Sequence, residues 1–211
     1  TEKRAVGVVS AGLDVSARLR LLRKVALNPG PLNQPTVLEA AGQEPPSSAM
    51  LLRCETPWGM ALQHTRQWHL FKQTEQVAIF RLLDQGLFVA QANLSPIPAA
   101  RPGEHTSEQV FQADIKQSLG DKLKSITSAQ VIPTKDKRYL YRVVVEGAIG
   151  ERPLTWIYFL IAEPSGKQAS LLVSLDRALV ENLGNRDREL VDSIRFGPLP
   201  ATAILKTPPT K

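Results

Sequence analysis

The chain has 211 residues, enough for one large domain or two small ones. One cysteine, Cys54, excludes an internal disulfide and a zinc site built on several thiolates. Three histidines leave little for a histidine-rich metal centre, and the balance of 26 basic against 20 acidic residues is only mildly positive.

Proline interrupts helices and sheet ladders alike, and the 16 prolines crowd toward the two ends, so regular structure is expected between about 60 and 196. Before that region, Val6–Val9 reads as a short strand and Leu13–Ala26 as an amphipathic helix, its apolar residues recurring at three- and four-residue steps. Pro45-Pro46-Ser47-Ser48 reads as a turn between strands Thr36–Ala40 and Ala49–Glu55.

Strands are then expected over 67–73, 76–83 and 87–94, the last two joined by the hairpin signal Asp84-Gln85-Gly86. Pro96 to Gly103 reads as a loop. Thr106 is placed as a helix cap, with Gln109 at capping-box spacing, and Phe111, Ile115 and Leu119 form an apolar ridge ending at Gly120. The stretch after it reads as a helix end and a lysine-rich loop. A strand follows in which residues 139–145 alternate in period two. Leu154–Ala162 is apolar on both faces, as in a central strand, and Ala169–Leu175 is the next. The short turns between these three strands force antiparallel neighbours. A last helix begins near Arg177 or Asp187, with Leu179, Leu183, Leu190, Val191 and Ile194 as its buried positions and Gly184-Asn185 as a candidate break.

These elements predict an α+β fold in which one meandering antiparallel β-sheet is flanked by helices. The domain division is 1–55 as an N-terminal extension or small subdomain, 56–196 as the main domain and 197–211 as an extended tail. No apolar run approaches the roughly 20 residues of a transmembrane helix. Thr1 is not a start methionine, so the start is removed by processing or by trimming, and no signal segment is visible in what remains; processing would imply a removed leader able to tether the chain to a membrane.

Catalytic signatures are sparse. Glycine-rich phosphate loops and the G-x-S-x-G nucleophile turn do not occur. Cys54 with His64 or His69 is the one thiol–imidazole combination available to an enzyme. His64 and His69 are five apart, so a strand would send them to opposite faces, and no metal or cofactor is expected. Lys116, Lys122, Lys124, Lys135, Lys137, Arg138 and Arg142 make a basic stretch with Tyr139 and Tyr141, an anion-binding alternative for nucleic acid or acidic lipid. It carries no recognised nucleic-acid motif, and no nucleic-acid partner is expected. Trp58, Trp68, Tyr139, Tyr141 and Trp156 are the candidate binding residues: they fit core filling, or an aromatic pocket under the Thr56–Met60 turn.

Several of these features stand together in one order. Pro57-Trp58-Gly59 precedes the Trp-containing Gln67-Trp68-His69. A strand ending Ala90-Gln91-Ala92-Asn93-Leu94 and the run Thr106-Ser107-Glu108 follow, and Leu190 to Phe196 closes the domain. In this, residues 56–196 resemble the PsbP-like family, named for an extrinsic subunit of the photosynthetic oxygen-evolving complex. The resemblance implies an α-β-α sandwich and a non-enzymatic binding or assembly module for a protein or small ligand. It also implies export to the periplasm or cell envelope.

Overall fold

A computed structural model of the protein describes residues 51–197. The expected elements at 6–9, 13–26 and 36–40, and the tail beyond 197, lie outside the described residues.

The described chain begins with three short or medium strands, β1 (Leu52–Glu55), β2 (Met60–His64) and β3 (Trp68–Gln73). β4 (Ala78–Asp84) and β5 (Leu87–Ile97) follow. The turn between them puts Gln85 at φ 49° and Gly86 at φ 80°, the two positive values that a two-residue hairpin needs. Helix α1 (Glu108–Leu119) leads into β6 (Leu123–Val131), β7 (Tyr139–Ile149), β8 (Arg152–Ala162) and β9 (Gln168–Asp176). A 3-10 turn over Arg177–Leu179 opens the C-terminal helices α2 (Val180–Leu183) and α3 (Arg186–Ser193), and β10 (Arg195–Phe196) ends the described chain.

All seven strands of the main sheet are antiparallel to their neighbours, in the order β3-β4-β5-β9-β8-β7-β6. This corrects the single meander expected from sequence. Two meanders, β3-β4-β5 and β6-β7-β8-β9, are zipped together by β5 and β9, whose register runs from Ala90↔Leu175 to Ile97↔Gln168. A second sheet, β1-β2-β10, packs against the first.

Period-two alternation splits the apolar residues between two faces. One face carries Phe80, Leu82, Leu94, Phe159 and Leu171, and is covered by Leu62 of the small sheet and by Leu183, Leu190, Val191 and Ile194 of the C-terminal helices. The other face carries Tyr141, Val143, Trp156, Tyr158 and Leu172, under the Phe111–Ile115–Leu119 ridge of α1. β8 contributes to both, as its unbroken apolar run predicts.

Three local expectations are corrected. The cap of α1 is Ser107, whose Oγ accepts the Val110 N–H at 3.3 Å; Thr106 instead donates its backbone N–H to Gln168 Oε1 at 2.7 Å. β5 runs through Pro96, which sits beyond the last residue paired to β4, Leu94, where a missing N–H costs the ladder nothing on that side. The supposed lysine-rich loop is largely strand β6, an edge with two register irregularities against β7 and mostly exposed side chains. The last helix is broken at Gly184, which takes φ 56°, at the expected position.

Candidate functional site

The five aromatic candidates do not converge. Trp156 and Tyr141 are completely covered beneath α1, and Tyr141 Oη accepts from Gln112 Nε2. Tyr139 is half-buried beside them; it stacks on His105 with ring centroids 3.6 Å apart and donates to Glu108 at 3.1 Å. Burial, followed by that carboxylate, pushes its phenol well above the usual range. Trp58 and Trp68 belong to the opposite face. Trp58 is tied down locally, its Nε1 donating to Met60 Sδ at 3.1 Å.

Trp68, itself only 2% exposed, lies behind the walls of two neighbouring cavities. These cavities, of about 330 and 520 Å³, share Trp68 and His64 in their linings and form a groove where the small sheet meets the outer strand of the large one. β1 and the β3 residues Trp68, His69, Leu70 and Gln73 line the larger cavity. Gln63, Thr65 and the α3 residues Glu189, Leu190, Asp192 and Ser193 line the smaller, with Leu51 at its mouth.

Sequence order builds this groove economically. Gly59 at φ 76° closes the turn between β1 and β2, with Thr56 Oγ1 accepting the Met60 N–H at 3.0 Å. The Gln63 N–H reaches across to Ser193 Oγ at 3.2 Å and docks β2 on the end of α3. Arg186 holds the other end of α3 to the large sheet, donating to Asp84 Oδ2 at 3.0 Å and Gln67 Oε1 at 3.3 Å.

His64 is 6% exposed, and its ring meets Phe80 edge-on at 5.4 Å. Its Nδ1 lies 2.9 Å from the Thr65 carbonyl, a position for a donating N–H. Burial lowers its pKa despite these backbone contacts, so the ring is neutral at pH 7. His69, on the same cavity wall, is exposed.

The groove does bring Cys54, His64 and His69 to one cavity. The thiol, however, lies 3.9 Å from Gln73 Oε1, and burial, then the charge of Glu55, raises its pKa. A thiol held protonated is a poor nucleophile. Among the described residues no group of three His, Cys, Asp or Glu side chains is arranged to hold a metal.

The basic stretch is divided by the fold. Arg138 is buried and pairs with Asp136 at 2.6 Å, while Arg142 lies 3.5 Å from the buried Asp187. Lys116 on α1, Lys124 on β6 and the pair Lys135 and Lys137 in the loop between β6 and β7 remain exposed.

What sequence reasoning missed is the apolar rim. Among the described residues, eight large hydrophobic side chains are exposed; Leu51 (48%), Leu52 (41%) and Leu70 (44%) are on the groove walls, and Phe71 (56%) is the next residue on β3. The register against β4 shifts between Leu70 and Lys72, and Leu70 and Phe71 are both exposed, the Phe71 ring lying 3.5 Å from the Arg81 guanidinium. No helix among the described residues is long and apolar enough to cross a membrane.

No family model matches the sequence, and no curated protein matches it. Solved structures similar to it include the Ran-binding protein Mog1p of Saccharomyces cerevisiae, 6% identical with a TM-score of 0.51 over 70% of this chain and 95% of that one. Cyanobacterial PsbP (CyanoP) of Synechocystis is 17% identical, with a TM-score of 0.47 over 75% of this chain and 98% of that one. A Bacteroides thetaiotaomicron protein is 8% identical, with a TM-score of 0.48 over 70% of this chain, which spans about half (48%) of its length. The neighbours thus include PsbP-like and Mog1-like proteins at low identity and over part of the chain, and what the chain shares with Mog1p is a fold.

Proposed function

We propose that the chain is a non-catalytic binding or assembly module that holds a protein partner in the Trp68 groove. The observation that carries this reading is the gathering of exposed leucines there, an apolar patch that a domain leaves open at a cost in solubility. The groove offers no activated thiol, because burial raises the pKa of Cys54 and keeps it protonated. Mog1p is by name a Ran-binding protein, so a protein partner suits this architecture. Trp68 is the candidate binding residue that this reading retains. The PsbP-like resemblance of residues 56–196 further supports export to the periplasm or cell envelope.

The test is affinity capture from extracts of the native organism with two baits, the wild-type chain and the double variant Leu70→Asp, Phe71→Asp. Both positions are exposed, so the variant is expected to fold. A partner retained by the wild type and lost by the variant supports the reading. A partner held equally by both baits overturns it.

A further inference from the structure

Given the proposed role of the Trp68 groove in holding a protein partner, on which the inference rests, three of its features select the occupant. Its first wall is β3, a terminal strand of the large sheet. The Leu83 N–H bonds the Gln67 carbonyl at 2.9 Å, and Trp68 stands opposite Leu82 and Leu70 opposite Phe80. Antiparallel alternation then turns the backbone N–H and C=O of Leu70 away from β4, to the outer edge. Leu70 itself is a wall of the larger cavity.

The second wall is β1. At one end of the cavity the Glu55 carbonyl accepts a hydrogen bond from Gln73 Nε2 at 2.8 Å. A carboxamide is the side-chain counterpart of a peptide group. One position of an added strand is therefore already filled, in kind, by this chain's own amide.

Charge supplies the third feature. The whole chain carries +6, yet the two cavities are lined by three carboxylates, Glu55, Glu189 and Asp192; Arg53 pairs with Glu55 and Arg188 with Asp192, so the rim's negative charge rests on Glu189. Neutral His64 adds no positive charge.

We propose that the groove takes an extended polypeptide segment of a partner protein by strand addition along β3. An apolar side chain of that segment rests between Leu52 and Leu70, the exposed leucines of the two walls of the larger cavity, and a neighbouring basic side chain meets the acidic rim. Main-chain hydrogen bonds at Leu70 give affinity, and the alternating pockets give selectivity. The mildly basic chain thereby recognises a basic peptide, a preference that net charge alone would reverse.

The experiment uses the full chain with three fluorescein-labelled heptapeptides, monitored by fluorescence anisotropy. One alternates Lys and Val, one alternates Glu and Val, and one is the Lys/Val peptide with N-methylated valines. The Lys/Val peptide is expected to bind about tenfold more tightly than the Glu/Val peptide, and N-methylation to remove most of that affinity. Glu189→Lys, an exposed change, is expected to weaken the Lys/Val peptide several-fold, and the Leu70 amide resonance is expected to move on binding. Equal binding of all three peptides, or none, overturns the proposal. So does a Leu70 amide already protected from exchange without peptide, which assigns the groove to residues of this chain or a second copy. If these fail while the Leu70→Asp, Phe71→Asp bait still loses its partner, the strand mode falls and the binding-module reading stands.

Discussion

Arg138 donates from Nη1 to the carbonyl of Ile194 at 2.6 Å, joining the start of β7 to the residue that follows α3. A second donation, from Nη2 to the Asp192 carbonyl, spans 3.4 Å. The carbonyls at the end of a helix lack partners within it, and here the Arg138 fork shares both acceptors with Arg195 Nη1, which donates to each at 2.7 Å. Asp136 neutralises the charge at 2.6 Å. Burial alone would raise the Asp136 pKa, but the charge and hydrogen bonds of Arg138, with the Thr134 hydroxyl, outweigh it and hold the carboxylate below its ordinary value. Arg138→Lys keeps the charge and loses the fork. It is expected to cost about 1.5–3 kcal/mol, the range for hydrogen bonds to charged groups, read as a lower urea midpoint. An unchanged midpoint would remove Arg138 from this role.

His64 predicts a pH dependence. Its folded pKa lies below the ordinary 6.5, so below that value the unfolded chain binds more protons than the folded one. Stability is therefore full above about pH 6.5 and declines as pH falls through that value toward the folded pKa. His64→Phe removes the titrating group and is expected to flatten this part of the profile, measured as Tm from pH 7.5 to 5. A wild-type profile already flat there contradicts the prediction.

Gly147 stands where β7 passes under the 3-10 turn at Gly120–Lys122. A Cβ at this position would lie 1.9 Å from the Lys122 carbonyl oxygen and 2.8 Å from Trp156 Cζ3. Neither backbone nor a fully buried indole yields easily, so Gly147→Ala is expected to destabilise by at least about 1–3 kcal/mol. Chemical denaturation measures it, and a stability equal to wild type would show that the turn moves freely.

The Cys54 thiol is expected to react slowly with an alkylating reagent in the native chain and quickly in urea, because burial both covers it and raises its pKa. Cys54→Ala is expected to leave partner capture intact. Rapid native labelling would restore the thiol as a candidate nucleophile.

Asp187 and Arg142 face each other across the sheet–helix interface at 3.5 Å, and the Asp187 side chain is 5% exposed. Desolvation raises the Asp187 pKa, although Arg142 pulls against it. Asp187→Ala leaves the partly exposed Arg142 guanidinium beside Phe159 and is expected to cost about 1.5 kcal/mol, the scale of one hydrogen bond to a charged group. A calorimetric loss well under 1 kcal/mol would place this pair with ordinary surface ion pairs.

Period-two patterning made β7, β8 and β9 legible, because each alternates or is apolar according to which faces are covered. The α1 ridge was legible for the same reason at helical period. β6 was not: Leu-Lys-Ser-Ile-Thr-Ser-Ala-Gln-Val has one hydrogen-bonded neighbour and little to bury, so tertiary pairing and not pattern makes it a strand. The split of the aromatic candidates was equally hidden, since Trp68 and Trp156 look alike in sequence and only the β5–β9 zipper assigns them to different faces. Leu70 and Phe71 read as ordinary strand residues; both are exposed because β3 is a terminal strand of the sheet, a position that one strand alone does not announce.

The zipper also dictates when this protein can come into being. Ser174 reaches the Gln91 carbonyl from 83 positions along the chain, and the ladder around that contact joins the two halves of the sheet. Neither half buries both its faces before the ladder closes, and closing it means first ordering a long intervening loop. On a ribosome, β3-β4-β5 must wait, apolar side outward, until β9 has cleared the exit tunnel. Assembly of the core is a late, single event in synthesis, and the waiting hairpin is the natural client of whatever guards nascent chains.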